Sequence, residues 1–185
     1  MRYKMVAFFL LVIFAFSLVA FAEDKPEYVG ANKCKTCHKA EKNGQQFKIW
    51  SEKSHAKAYN DLKSKGAAEK IKAAGLAEGT DATKAEACLT CHSTAFGKKN
   101  IAKTFDIEEG VSCEACHGPG SLYKSMKIMK DRDAAVAAGL TLISEETCLP
   151  CHGKKAAGHK DEKFDYAKAK AAIAHMVPKE NDRRK

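Results

Sequence analysis

Cys113-Glu-Ala-Cys116-His117 is one of four copies of the pattern Cys-x-x-Cys-His, and these copies decide the fold of this chain. The other three copies are Cys34-Lys-Thr-Cys37-His38, Cys88-Leu-Thr-Cys91-His92 and Cys148-Leu-Pro-Cys151-His152, so the four motifs use all eight cysteines. In this pattern each cysteine sulfur bonds covalently to a haem vinyl group, and the histidine that follows ligates the iron from one side. The sequence therefore predicts four covalently bound c-type haems.

Two other interpretations of the cysteines explain less of the pattern. Structural zinc needs two Cys-x-x-Cys pairs per metal and does not require a histidine directly after each pair. A disulfide framework would suit an exported chain, yet it leaves the four motif histidines without a role. Haem attachment accounts for both residue types.

The remaining histidines are candidates for the second axial position of the irons. Seven histidines are present, and His55, His159 and His175 lie outside the motifs. Three histidines cannot serve four haems, so we expect one haem to have an open site, a water or a methionine there. The methionine candidates are Met126, Met129 and Met176.

The fold class follows from how little chain is available for each haem. The porphyrins must form much of the apolar interior, and short helices with irregular loops are all that fit between the motifs. Apolar residues every three or four positions predict a helix over 46–64 with His55 on its buried face. Further helices are expected at 67–74, 121–129, 132–138, 144–151 and 165–175. We predict a mostly α, compact multihaem cytochrome without a sheet.

The N-terminal segment is typical of an exported protein. Two basic residues, Arg2 and Lys4, precede an apolar run that ends in Ala20-Phe21-Ala22. This arrangement predicts a signal peptide over 1–22, a haem domain over 23–178 and a charged, disordered tail over 179–185. An uncleaved membrane anchor is the alternative, but the apolar run is short for a span. We therefore expect a periplasmic protein, with an extracellular location as a second possibility.

The basic composition does not indicate nucleic-acid binding. The formal net charge is +9, but each haem contributes two propionates that cancel much of this excess. We expect redox proteins as partners, no nucleic acid, and no stable membrane insertion after signal cleavage.

Three stretches of the chain resemble the tetrahaem cytochrome c-554 family. They are Tyr28-Val-Gly30, Trp50-Ser-Glu-Lys-Ser-His55-Ala-Lys-Ala58 and Glu109-Gly-Val-Ser-Cys113-Glu-Ala-Cys116-His117-Gly-Pro-Gly120. The resemblance covers about residues 28–153 and implies an exported bacterial electron carrier. It also implies that His55 is a distal ligand, and that the second haem, held by Cys88, Cys91 and His92, is five-coordinate. The family has a further distal histidine between the third and fourth motifs, and none occurs here between His117 and His152. His159 replaces it, or the open site has moved to another haem.

Electron transfer between redox proteins is the function that these features favour. Haems with two histidine ligands have no exchangeable position and do little except transfer electrons. One alternative is a reductase that acts on a small nitrogen oxide at the open haem. The other is a subunit of an extracellular cytochrome filament, which is expected to ligate all four haems with histidine pairs.

Overall fold

A computed structural model describes residues 25–153, 159, 163–175 and 177 of the chain. The predicted signal peptide over 1–22, the predicted tail over 179–185 and Met176 lie outside these residues. Ten short α-helices connected by irregular segments make up the described part, and they follow here in chain order. They are α1 (Ala31–His38), α2 (Gln46–Ser51), α3 (Ser54–Asp61), α4 (Ala67–Ala73), α5 (Glu86–His92), α6 (Cys113–His117), α7 (Met126–Met129), α8 (Arg132–Ala137), α9 (Glu145–His152) and α10 (Tyr166–Ile173).

Each of the four motifs ends a helix at its histidine. The helices α1, α5, α6 and α9 stop at His38, His92, His117 and His152. Within a helix the two cysteines of a motif lie one turn apart on the same face, with the histidine next to them. The mostly α class is confirmed. No strand occurs in the described residues, where the nearest approach to a sheet is one parallel bridge between Tyr28 and Ile101.

The start of α1 is fixed by two carboxylates from the third motif region. Glu114, only 1% exposed, accepts hydrogen bonds from the backbone N–H groups of Val29, Gly30 and Gly120 at 2.6–3.0 Å. Glu109 accepts from the N–H of Ala31 at 2.6 Å, which satisfies a donor at the helix N-terminus. We call these six residues the carboxylate junction. It joins segments about 85 residues apart in the sequence.

A second centre of packing is apolar and lies beside the second motif. Its buried members are Tyr59, Leu62, Ile71, Ala82 and Leu89, and we call them the apolar cluster. Helices α3, α4 and α5 contribute one of these side chains each, and Leu62 directly follows α3. Leu89, which is 3% exposed, lies between the two cysteines of the motif. The cluster therefore forms the protein wall behind the second motif.

The helix expected over 46–64 is divided into α2 and α3. Lys53 between them has an extended backbone (φ −92°, ψ 165°). The segment after Glu109 crosses at this point: the Trp50 indole donates to the carbonyl of Val111 at 2.9 Å, and the N–H of Val111 donates to the carbonyl of His55 at 2.9 Å. A Cβ on Gly110 would lie 2.8 Å from the His55 oxygen. These long-range contacts interrupt the helix between α2 and α3. The local pattern of apolar residues does not predict them.

The helix expected over 121–129 is also shorter than predicted. Its first residues are held against the third motif, because the Tyr123 hydroxyl donates to the carbonyls of His117 and Gly118. The helix begins only at Met126, where Ser125 caps it by accepting from the N–H of Ile128. The other expected helices are present with ends that differ by one or two residues, and Asp165 caps the last of them.

Candidate functional site

Each histidine outside the motifs lies beside one motif histidine. The ring centroids of His55 and His152 are 5.9 Å apart, those of His92 and His159 are 5.8 Å apart, and those of His117 and His175 are 6.0 Å apart. A metal bound by a histidine nitrogen lies about 2 Å from it, so two imidazoles on one metal have centroids roughly 6 Å apart. The three separations match this value.

The electrostatics of these rings favour the neutral form that binds a metal. Burial, followed by repulsion from His175, lowers the pKa of His117 to about 4. Burial also lowers the pKa of His55, with His152 as the second cause. Burial lowers the pKa of His159 as well, and His92 and Lys70 add to the effect. Since only neutral imidazole ligates a metal, the sites need no deprotonation at neutral pH.

The second motif lines a cavity of about 280 Å³ whose wall includes both histidines of one pair. Cys88, Cys91, His92 and His159 lie on it, together with apolar side chains that include Leu62 and Ile71. An apolar cavity lined by two thiols and two imidazoles has the donors that a covalent haem requires.

The eight cysteines are free thiols, as haem attachment requires. In the part of the chain that the structure describes, no group of three or more potential ligand residues converges in a way that would hold a metal ion directly.

Thiols from different motifs are neighbours, and these contacts show which motifs lie next to each other. A hydrogen-bonding contact with Cys113 raises the pKa of Cys34, and the same contact lowers that of Cys113. Burial raises the pKa of Cys151 to about 11, and its neighbours Cys91 and Cys116 add to this. The first motif is thus next to the third, and the fourth is next to both the second and the third.

The family resemblance implies an open position at the haem of His92, whereas the structure places His159 beside His92 on the wall of the cavity that the second motif lines. All seven histidines are among the described residues, and the three pairs use six of them. His38 is the histidine without such a partner. Of the methionine candidates, Met126 is 62% exposed, and Met176 lies outside the described residues.

Two side chains near the motifs were missed by sequence analysis. Phe164 stacks on the ring of His152, with centroids 5.2 Å apart and planes 18° apart. Gln46 is buried and its amide oxygen lies 3.2 Å from Nδ1 of His38. The only sequence feature of Gln46 was its position at the start of an expected helix. No sequence feature of Phe164 indicated a contact with a motif histidine.

Comparison with known proteins shows which family the chain resembles. The model of the family "Cytochrome c554 and c-prime" matches residues 33–118. Cytochrome c-554 of Nitrosomonas europaea is 34% identical over 146 residues, which are 71% of this chain and 59% of that protein. The solved structure of the reduced state of cytochrome c554 from Nitrosomonas europaea aligns with a TM-score of 0.55 and 28% identity. The alignment covers 80% of this chain and 78% of that one.

The chain spans a little over half the length of the curated relative that it matches. The matched region contains the first three motifs, the stretch over 50–58, and all but the last two residues of the stretch over 109–120. The fold, the four Cys-x-x-Cys-His motifs and the sequence identity agree. This chain is therefore similar to the cytochrome c554 family across its first three motifs, and it is a multihaem c-type cytochrome with four covalently bound haems.

Proposed function

We propose that this protein transfers electrons between redox proteins outside the cytoplasm, through four haems of which three have two histidine ligands. The observation that carries the proposal is the set of three histidine pairs at 5.8–6.0 Å. Each pair would supply both histidine ligands of one haem, and such a haem would have no position left at which to bind a substrate. Three closed haems suit a carrier better than a catalyst.

In this proposal the motif cysteines hold the haems, and six histidines act in pairs. His152 and His55 ligate the fourth haem, His92 and His159 the second, and His117 and His175 the third. His38 ligates the first haem alone. This arrangement differs from the expectation for the family, and it agrees with the alternative that the open site has moved to another haem.

The neighbour order of the motifs supplies a route for the electrons. The motif thiols would hold the haems, so motifs whose thiols are neighbours would bring their haems close together. Cys34 lies against Cys113, Cys116 lies near Cys148 and Cys151, and Cys151 lies near Cys91. Electrons would therefore pass between the haems held by the first, third, fourth and second motifs in that order, or the reverse. The first and second haems are then the ends at which partners dock.

Export rests on the N-terminal sequence and on the compartment in which haem is attached. Among the described residues no helix is long and apolar enough to cross a membrane. We propose cleavage after Ala22 and a periplasmic location. A basic segment, an apolar run and a small-residue cleavage site in this order are typical of a signal peptide. The filament alternative is less well supported, because the pairing leaves one haem without a second histidine.

Cyanide binding to the oxidised holoprotein tests the ligand assignment. We expect cyanide to perturb about one quarter of the haem absorbance and to convert one high-spin signal in the electron paramagnetic resonance spectrum. The double variant Cys34→Ala/Cys37→Ala should lose this response. The matched variant Cys88→Ala/Cys91→Ala should keep it. The reverse pattern would return the open site to the second haem, and four low-spin haems in the unmodified protein would refute the assignment altogether.

A further inference from the structure

The motif histidines differ in what holds their second ring nitrogen. Nδ1 of His92 lies 2.7 Å from the carbonyl oxygen of Ala58, which is a main-chain group. Nδ1 of His38 instead lies 3.2 Å from the side-chain oxygen of Gln46. The first motif thus has an axial histidine oriented by a side chain.

We propose that Gln46 is the positioning residue that sets the orientation and basicity of His38 as the sole axial ligand of the first haem. The amide oxygen would accept a hydrogen bond from the protonated Nδ1, which would leave Nε2 as the nitrogen available to the iron. This inference rests on the proposed function, in which no second histidine ligates that haem.

The amide of Gln46 has one orientation that satisfies both of its ends. Its Nε2 donates to the carbonyl of Asn43, so the oxygen is the atom that faces His38. Asn43 is itself fixed, since its side-chain nitrogen donates to the carbonyl of Cys37 at 2.8 Å. The amide is 9% exposed. A chain of hydrogen bonds therefore runs from the motif backbone through Asn43 and Gln46 back to the motif histidine.

A tight turn in the backbone before Gln46 places this side chain beside His38. Gly44 and Gln45 are both left-handed, with φ values of 95° and 51°. The carbonyl of Ala40 accepts from the N–H groups of Asn43 and Gln45 at 3.0 and 3.2 Å. A non-glycine residue in this conformation costs about 1 kcal/mol. The tight turn starts α2 at Gln46 and returns it to the motif eight residues earlier in the chain.

A single axial histidine makes its hydrogen-bond acceptor more influential. Where two imidazoles share an iron, a change in one is buffered by the other, whereas the first haem depends on His38 alone. A stronger acceptor at Nδ1 gives the ring more imidazolate character and strengthens its bond to the metal. Gln46, a neutral acceptor, therefore holds this bond at an intermediate strength.

Resonance Raman spectroscopy of the reduced holoprotein isolates this one site. The iron–histidine stretching band arises from haems with a single histidine and no sixth ligand, so the three paired haems are silent. We expect Gln46→Leu to lower the band frequency because the acceptor is lost. We expect Gln46→Glu to raise it because a carboxylate accepts more strongly. Gln45→Leu is the matched control and should leave the band in place, since the Gln45 side chain forms no hydrogen bond with any described residue.

Opposite shifts in the two Gln46 variants support the positioning role. No shift in either variant, or shifts in the same direction, would overturn it, because simple loosening of the helix would move both alike. Absence of the band from the unmodified protein would instead refute the single-histidine assignment. If Gln46→Leu fails to retain four haems, Gln46→Glu decides alone: a higher frequency supports the role and an unchanged one overturns it.

Discussion

The carboxylate junction and the apolar cluster hold two parts of the molecule together by different means. The junction joins the first and third motif regions through buried carboxylate oxygens and backbone N–H groups, with few large apolar side chains. The apolar cluster backs the second motif with packed side chains around the cavity. A small chain that binds several haems therefore needs no single continuous hydrophobic core. Directional hydrogen bonds organise one region, and burial of apolar surface organises the other.

The largest expected effect is on the junction. Glu114→Ala would remove the acceptor of three backbone N–H groups and leave these donors buried without partners. Each unsatisfied donor costs about 1–3 kcal/mol, so we expect a loss of about 4 kcal/mol in the free energy of unfolding. Urea denaturation of the holoprotein, followed by far-ultraviolet circular dichroism, measures it.

The matched control for this change is Glu108→Ala. Glu108 pairs with Lys63 at 2.6 Å, but the two side chains are 53% and 44% exposed. A surface ion pair contributes about 0–1 kcal/mol. Equal effects of the two substitutions would show that the buried carboxylate has no special part in joining the motifs.

The cluster should respond to loss of apolar volume instead. Leu89 is 3% exposed and packs in the cluster, and Leu89→Ala should destabilise the protein by about 3 kcal/mol through lost burial and a new cavity. Val29→Ala, at a buried position of the junction, should cost only about 1 kcal/mol, since it removes less volume. A larger effect at Val29 than at Leu89 would contradict the division between the two regions.

The sequence predicted the chemistry of the motifs better than their arrangement. Spacing alone indicates haem attachment, because both cysteines and the histidine act within one helical turn. The pairing of His92 with His159 joins residues 67 positions apart in the sequence, and no local pattern contains that information. The break at Lys53 likewise depends on Val111 and Trp50, which meet only in the folded chain. Local periodicity found α4, α8 and α10 because these helices are limited by their own caps and glycines.

The role of Gln46 illustrates the same limit at the level of one side chain. A glutamine at the start of an amphipathic helix has no sequence feature that separates a ligand-orienting residue from a solvated one. Its contact with His38 depends on two consecutive left-handed residues before it. One of them is a non-glycine residue, for which this backbone conformation is not predicted from sequence.

The smallest expected effect is a pH dependence at the junction. Burial raises the pKa of Glu109, and the negative charges of Asp106 and Glu114 raise it further, while its hydrogen bonds from the residues at the start of α1 oppose the change. Because the folded-state pKa lies above that of the unfolded chain, the contribution of Glu109 is fully present below the unfolded pKa. It is lost as the pH rises through the folded pKa.

A comparison of the unmodified protein with Glu109→Gln isolates this contribution, because the other titrating groups are common to both. The stability of the unmodified protein relative to the variant should fall as the pH rises above about 4, where an unfolded glutamate begins to ionise. It should become constant above the folded-state pKa. Urea midpoints measured for both proteins at a series of pH values give the difference directly. A difference that instead grows with pH would mean that the hydrogen bond from Ala31 outweighs burial, and that the Glu109 carboxylate stabilises the junction mainly in its ionised form.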